Sequence, residues 1–310
     1  EMAKRGGGLF PPQTATPALM LATEESGEPV ILVDEPSPGV RRVTMNRPEK
    51  RNALFHPLRG AILEALVAHD RDTDVRVTII RGAGPSFSAG YDLGGGNVGH
   101  EYPYYTPGGE GQWPRHVTEG WMSIWDLAKP VIAQVHGYCL AGGSELATGC
   151  DLVYVAEDAS MGYPAVRFGV PDMHFHAWFL GMRRAMQMML TGDSITGIEA
   201  VELGWANAAF PAEDLDEAVL DVARRICEVP ADLVQLNKRA VHRQMEHMGL
   251  RTGLRAGTEL CALGVHTEAM SEFLSSIQSG GLTEALQQRD EPFGDYRTDH
   301  EVPGDGDTRD

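Results

Sequence analysis

Cysteine is scarce in this chain of 310 residues, which contains four: Cys139, Cys150, Cys227 and Cys261. They form no Cys-x-x-Cys pair, and no histidine follows them at the spacing of a zinc finger. We therefore expect neither a disulfide framework nor a metal site. Cysteines without such a framework are typical of proteins in a reducing compartment, so a cytoplasmic location is expected.

Long apolar runs and positive charge are also in short supply. No stretch approaches the roughly 20 apolar residues of a membrane-spanning helix, and the N-terminus lacks the apolar core of a signal peptide. The chain has 26 Lys and Arg against 44 Asp and Glu, a formal net charge of −18. Because nucleic acids and anionic membranes are bound through clustered Lys and Arg, we expect neither as a partner.

Glycine, in contrast, is frequent, with 36 residues, many of them directly after short apolar runs. Such positions are typical of turns at which the backbone comes close to another group. No P-loop accompanies these glycines, and the triplet at 94–96 does not open a helix as a dinucleotide site requires. We therefore expect no permanently bound cofactor.

The chain divides into a mixed half followed by a helical half. Short β-prone runs alternate with predicted helices over 56–72 and 116–128. An apolar strand, a small-residue turn and a helix follow one another twice, at 77–93 and at 131–149, which is a weak internal repeat of ββα character. Later stretches, at 176–190, 196–204, 213–230, 231–248 and 268–277, have helical periodicity. The pattern predicts an α/β fold with parallel sheets, followed by a helical C-terminal region.

Composition divides the chain into four predicted segments. Residues 1–28 form a flexible leader, 29–225 a mixed core, 226–292 a helical region and 293–310 an acidic tail. Residues 94–114, rich in Gly, Tyr and Pro, are too irregular for a helix or strand and are predicted to form a functional loop that suits a bulky substrate.

Two turns, "FSAGYDL" and "LAGGSEL", carry small residues after buried strands. Backbone N–H groups at such turns can converge on one carbonyl oxygen and form an oxyanion hole. A helix that begins at Gly142 or Gly143 would add its dipole. Glu145 would then lie in the first helical turn, placed to move a proton beside the polarised carbonyl. The alternative is that Glu145 only complements the dipole or caps the helix.

Several stretches resemble, in this order, the enoyl-CoA hydratase/isomerase (crotonase) superfamily: "RVTMNRPEKRNAL", "SFSAGYDL", "KPVIAQVHGYCLAGGSELATGCDLVYVAEDASMGYP" and "GMRRAMQMMLTGDSITGIEAVELGWAN". The resemblance covers roughly residues 29–290. It implies a spiral of ββα repeats with a helical C-terminal oligomerisation region, in a homotrimer or homohexamer. It also implies that an acyl-CoA thioester is the substrate, so that coenzyme A arrives as part of the substrate.

The resemblance assigns roles to individual residues. Ala89 and Gly142 match the two positions whose N–H groups form the oxyanion hole, and Glu145 matches the first of two catalytic glutamates. Lys50 and Arg51, in the densest basic segment, are predicted to bind the phosphates or adenine of coenzyme A. The other predicted coenzyme A contacts are Ala53, Ala89, Asp92, Leu93 and Gly142.

The sequence departs from the family where a second glutamate is expected, because Ala165 takes that place. The first hypothesis is hydration of a 2-enoyl-CoA to a 3-hydroxyacyl-CoA, with Glu145 as both base and acid. A second hypothesis is another reaction of the family, isomerisation or hydrolysis, using Asp172 or His174. A third is a non-catalytic protein that binds acyl-CoA. Asp172 could also be a simple turn residue after Pro171.

Overall fold

The computed structural model describes residues 28–94 and 109–294. The predicted leader and acidic tail, apart from residues 28, 293 and 294, lie outside the described residues. So does the middle of the predicted loop over 94–114, including its tyrosines at 102, 104 and 105.

Nine strands and ten α-helices make up the described part of the chain. The strands are β1 (Ile31–Ser37), β2 (Val40–Met45), β3 (Val77–Gly82), β4 (Val131–Val135), β5 (Tyr138–Leu140), β6 (Leu152–Ala156), β7 (Ser160–Gly162), β8 (Ile195–Thr196) and β9 (Ala208–Phe210). The helices are α1 (His56–Arg71), α2 (Gln112–Met122), α3 (Gly142–Gly149), α4 (His176–Thr191), α5 (Gly197–Glu202), α6 (Leu215–Glu228), α7 (Ala231–His247), α8 (Leu250–Gly264), α9 (Glu268–Gly280) and α10 (Leu282–Asp290).

The larger sheet has six strands in the order β1-β2-β3-β4-β6-β9. Only the β1–β2 pair is antiparallel; the remaining pairs are parallel. All five residues of β4 are buried, as are the first four of β3. Continuous burial is expected of parallel strands that are covered on both faces, and it explains why apolar residues predominate in these two segments.

The smaller sheet, in the order β5-β7-β8, brings the two small-residue turns together. An isolated parallel bridge joins Ser88 to Cys139 in β5. The amide of Ala141 donates to the carbonyl of Gly162 at the end of β7, 2.9 Å away. Helix α3 starts directly afterwards, at Gly142 as the sequence suggests. The turn after β3 therefore lies against the N-terminus of α3.

Helices dominate after residue 176, so the predicted α/β class with a helical C-terminal region is confirmed. Helix α2 starts at Gln112, a turn earlier than predicted. Helices α8 and α10 were not predicted. Small residues extend the packing face of α8 beyond the buried Leu250 and Leu254, since a Cβ on Gly257 would meet the His174 ring at 2.5 Å. Apolar periodicity alone does not identify such a face.

None of the described helices combines the length and the apolar character that crossing a bilayer requires.

Candidate active site

Glu145 lies in the first turn of α3 and is fully buried. Its carboxyl accepts three hydrogen bonds from distant parts of the chain. The donors are the hydroxyl of Tyr91, the hydroxyl of Tyr163 at 2.7 Å and the backbone amide of Met173 at 2.9 Å. A glutamate that served only the helix dipole would need none of these partners, so the carboxyl is held in a defined orientation.

The indole of Trp121 fixes the direction of the Tyr91 hydroxyl. Its Nε1 donates to the Tyr91 oxygen over 3.0 Å. Because an indole N–H can only donate, the Tyr91 hydroxyl accepts from Trp121 and directs its own proton to Glu145. A chain of hydrogen bonds thus runs from the fully buried Trp121 to the carboxyl.

Burial raises the pKa of Glu145 to about 8, and the nearby carboxyl of Asp172 contributes to the rise. The hydrogen bonds from Tyr91, Tyr163 and Met173 favour the carboxylate and oppose that rise. A carboxyl poised near neutral pH can both accept and return a proton, which is the property of a general acid–base group.

Asp172 is a second buried acid next to Glu145. Burial raises its pKa to about 6, and hydrogen bonds from Cys261 and Trp113 oppose the rise. The thiol of Cys261, on α8, lies 3.3 Å from Oδ1. The structure therefore places Asp172 within electrostatic range of Glu145, and Asp172 rather than Ala165 supplies a second buried acid there.

The amide of Ala89 is already engaged, since it donates to the carbonyl of Arg51 at 2.9 Å. The structure therefore does not support Ala89 as an oxyanion donor. Tyr91 forms an isolated parallel bridge with Leu54, in which its neighbours Gly90 and Asp92 make the backbone hydrogen bonds. Among the described residues, the amides of Tyr91 and Gly142 have no acceptor. These two amides, on turns that contact each other, are therefore the candidate oxyanion donors.

Close approach of the two turns explains the glycines at the start of α3. A Cβ on Gly142 would come within 2.7 Å of the Tyr91 ring. A Cβ on Gly143 would come within 2.6 Å of the carbonyl oxygen of Ser88. Both distances are shorter than real Cβ contacts, so a side chain at either position would displace the group that it meets.

His174 does not join the two acids. Its ring packs against Gly257 of α8, and its side chain bonds to the carbonyl of Pro171. Burial lowers its pKa. In the described part of the chain no hydrogen bond connects it to Glu145 or Asp172, and its Nε2 has no partner. The prediction that His174 takes part in proton transfer is not supported, because α8 holds the ring elsewhere.

Lys50 and Arg51 are exposed on a short 3₁₀ turn over Pro48–Lys50 and its cap. Arg51 lies over the Tyr138 ring at 5.1 Å, and its carbonyl accepts from Ala89, so this turn adjoins the turn that carries Tyr91. The neighbouring basic side chains are engaged in ion pairs: Arg41 with Glu35, Arg42 with Asp34 and Asp216, and Arg47 with Asp92.

The remaining predicted coenzyme A contacts have different surroundings. The carbonyl of Ala53 and the carboxylate of Asp92 both accept from the buried guanidinium of Arg47, at 2.7 and 3.1 Å. These two residues therefore hold the turn together. Leu93 is exposed. Its contact with coenzyme A stays a prediction.

Sequence reasoning missed Tyr91, Tyr163, Trp113 and Cys261 as site residues. The two tyrosines could have been identified, since each directly adjoins a motif: "SAGYD" and "MGYP". Trp113 lies at the end of the predicted functional loop and reaches Asp172. Cys261 carries no local signal, because only the packing of α8 brings it near.

Known proteins resemble this chain in sequence and in fold. The family model for enoyl-CoA hydratase/isomerase matches residues 35–280. The mitochondrial enoyl-CoA hydratase domain-containing protein 3 of Danio rerio is 33% identical over 224 residues, which is 69% of this chain and 74% of that protein. The crystal structure of an enoyl-CoA hydratase from Mycobacterium smegmatis superposes with a TM-score of 0.79 at 31% identity, covering 89% of this chain and 98% of the other.

A second solved structure gives the same result. An enoyl-CoA hydratase/isomerase from Xanthobacter autotrophicus has a TM-score of 0.76 at 33% identity and covers 85% of this chain and 98% of its own. Both superpositions confirm the predicted fold class, including the helical C-terminal region.

Proposed function

Because this chain belongs to the enoyl-CoA hydratase/isomerase family, we propose that it adds water across the double bond of a 2-enoyl-CoA, with Glu145 moving the protons. Family membership supports an enzyme that acts on an acyl-CoA thioester. The observation that carries the proposal is the buried carboxyl of Glu145, which lies beside the N-terminus of α3 and is held by three donors.

The thioester oxygen accepts from the amides of Tyr91 and Gly142, which polarises the carbonyl and makes Cβ electrophilic. As the water oxygen bonds to Cβ, the Glu145 carboxylate takes a proton from that water. The electron pair of the double bond moves towards Cα and forms an enolate at the thioester. Glu145 then returns the proton to Cα, the carbonyl re-forms and one water has been added.

Replacement of Glu145 by Gln tests this proposal. The loss of conjugated-thioester absorbance is followed for short, medium and aromatic 2-enoyl-CoAs. We expect Glu145→Gln to lower turnover by at least ~100-fold, the usual contribution of a general acid–base group. Glu202→Gln, at an exposed position on α5, is the matched control and should keep wild-type activity.

A second candidate is double-bond isomerisation, favoured by the second buried acid, Asp172. Chromatography of the products separates the two reactions: a shifted double bond that disappears in Asp172→Asn would replace hydration. If wild-type protein binds acyl-CoA but forms no product, including no thioester hydrolysis, the non-catalytic hypothesis based on Ala165 is supported.

We further propose that Lys50 and Arg51 contact the phosphates or adenine of coenzyme A. Their exposure and their position beside the Tyr91 turn support this. A homotrimer or homohexamer is also proposed, supported by exposed apolar side chains on the later helices: Met182, Met186, Leu190, Leu233, Leu236, Val241, Leu260 and Leu263. The cytoplasmic location and the segment boundaries at residues 28, 225 and 292 stay predictions.

A further inference from the structure

Arg59, on the first turns of α1, is a cation for which the mechanism above has no use. Its side chain is fully buried. None of its three guanidinium nitrogens has a hydrogen-bond partner among the described residues. A guanidinium has five N–H donors, and leaving such donors unpaired inside a protein is costly. A bound ligand with hydrogen-bond acceptors would satisfy these donors.

Three aromatic rings surround the guanidinium. Its central carbon lies 5.9 Å from the centre of the Tyr91 ring and 5.3 Å from the rings of Trp113 and Trp121. These contacts stabilise the positive charge through the ring faces but satisfy none of its donors. The three rings therefore stabilise the charge of Arg59, while its N–H groups remain without acceptors among the described residues.

The same rings place Arg59 next to the proposed reaction centre. Tyr91 donates to Glu145, Trp121 donates to Tyr91, and Trp113 donates to Asp172. Arg59 is within electrostatic range of both acids, and burial lowers its pKa while their charges raise it. One aromatic side chain thus separates the guanidinium from the carboxyl that would move the proton.

From this geometry we propose that Arg59 binds a carboxylate on the acyl group, so that the substrate is a short 2-enoyl-CoA with a second, anionic end. The planar fork of a guanidinium matches a carboxylate through two parallel hydrogen bonds. The inference rests on the proposed function and specifies its substrate. Trp113 is only half-buried, so this ring, unlike buried Trp121, can give way to the acyl chain.

Binding measurements test this without requiring turnover. Saturated acyl-CoAs of four to six acyl carbons ending in a carboxylate are compared by calorimetry with the methyl esters of the same chains. Wild-type protein should bind the carboxylate form at least ~10-fold more tightly, the effect of hydrogen bonds to a charged group. Equal affinity, or preference for the ester, overturns the proposal even if hydration of neutral substrates is observed.

Variants separate ligand binding from a purely structural role. Arg59→Met should bring the affinity ratio of carboxylate to ester close to one, and Arg59→Lys, which keeps the charge but loses the fork, should give an intermediate ratio. Arg183→Met removes one exposed charge on α4 and should keep the wild-type ratio. If Arg59 only balances the two acids, Arg59→Met will weaken both ligands equally, which contradicts the proposal.

Turnover of the matching 2-enoyl-CoAs then distinguishes the two proposals. Selective binding of the carboxylate without hydration would contradict the proposed function and leave the role of Arg59 intact. Hydration without preference for the carboxylate form would support the proposed function and contradict the role of Arg59. Should Arg59→Met fail to fold, as judged by circular dichroism, the wild-type affinity ratio alone decides the outcome.

Discussion

The carboxyl of Glu145 experiences two opposing influences. Burial favours its protonated form, while the hydroxyls of Tyr91 and Tyr163 and the amide of Met173 favour the carboxylate. Since burial is the larger influence, the pKa is raised, and the three donors limit the rise. The fraction of enzyme with an ionised Glu145 therefore increases with pH through the neutral range.

Tyr163→Phe tests this balance. Removing one donor destabilises the carboxylate, so the pKa of Glu145 should rise further and the ascending limb of the kcat/KM profile should move to higher pH. One hydrogen bond to a charged group corresponds to about one pH unit. Tyr154→Phe removes a half-buried hydroxyl from β6, away from the site, and should leave the profile in place. A shift towards acid in Tyr163→Phe would contradict the assignment.

At the scale of elements, the close contact between two turns builds the site. Helix α3 begins where the chain after β3 packs against it, and glycine is needed on both sides of the contact. Ala141 adopts a φ of 47°, an unfavourable value for a residue with a side chain. The N-terminus of α3 is packed by the Tyr91 ring, and the glycines there contribute no side chains of their own.

Alanine substitutions at this helix start should separate activity from stability. In Gly142→Ala the new methyl group meets the Tyr91 ring, a side chain that can move, so activity should fall at least ~100-fold, similar to the loss of one oxyanion donor. In Gly143→Ala the new methyl group meets the backbone of Ser88, which cannot move as easily. The free energy of unfolding should therefore fall by about 1–3 kcal/mol or more. Thioester assays and urea titrations measure the two effects.

Gly169→Ala is the matched control for both variants. The nearest atom to its added Cβ is the terminal methyl of Met270, at 3.0 Å, the flexible end of a side chain. Activity and stability should therefore change little. Wild-type activity in Gly142→Ala would show that catalysis does not depend on the position of the Tyr91 ring against Gly142.

At the scale of the whole molecule, a buried ion pair joins α7 to the end of α3. The ammonium group of Lys238 lies 2.9 Å from the carboxylate of Asp151 and also donates to the carbonyls of Ile124 and Lys129. His242, one turn further along α7, is 2.7 Å from the same carboxylate. Because Asp151 directly precedes β6, the helical region is tied to the larger sheet.

Lys238→Met should destabilise the protein by about 3–5 kcal/mol, because the mostly buried Asp151 carboxylate loses its lysine partner and keeps only His242 and the Val131 amide. Urea unfolding followed by tryptophan fluorescence gives the value. Arg243→Met removes an exposed charge from the same helix and should have an effect close to zero. Equal stability of the two variants would mean that the pair does not hold α7 in place.

Local patterns were sufficient for much of the fold. The mainly apolar strands β3 and β4, the small-residue turns and the start of α3 were predictable, because each depends on neighbouring residues. Glu145 could be assigned for the same reason. Helix α8 was not predicted; its buried face combines Leu250 and Leu254 with small residues such as Gly257, whose role depends on the partner they approach.

The sequence by itself determined the α/β class, the family resemblance and the position of Glu145 in the first turn of α3, because these follow from spacing along the chain. Only the tertiary structure decided which groups surround that carboxyl. Asp172 and Tyr163 lie far along the chain from Arg59, yet folding gathers all three around Glu145. The raised pKa of Glu145 also depends on this packing, because burial is a property of the folded chain.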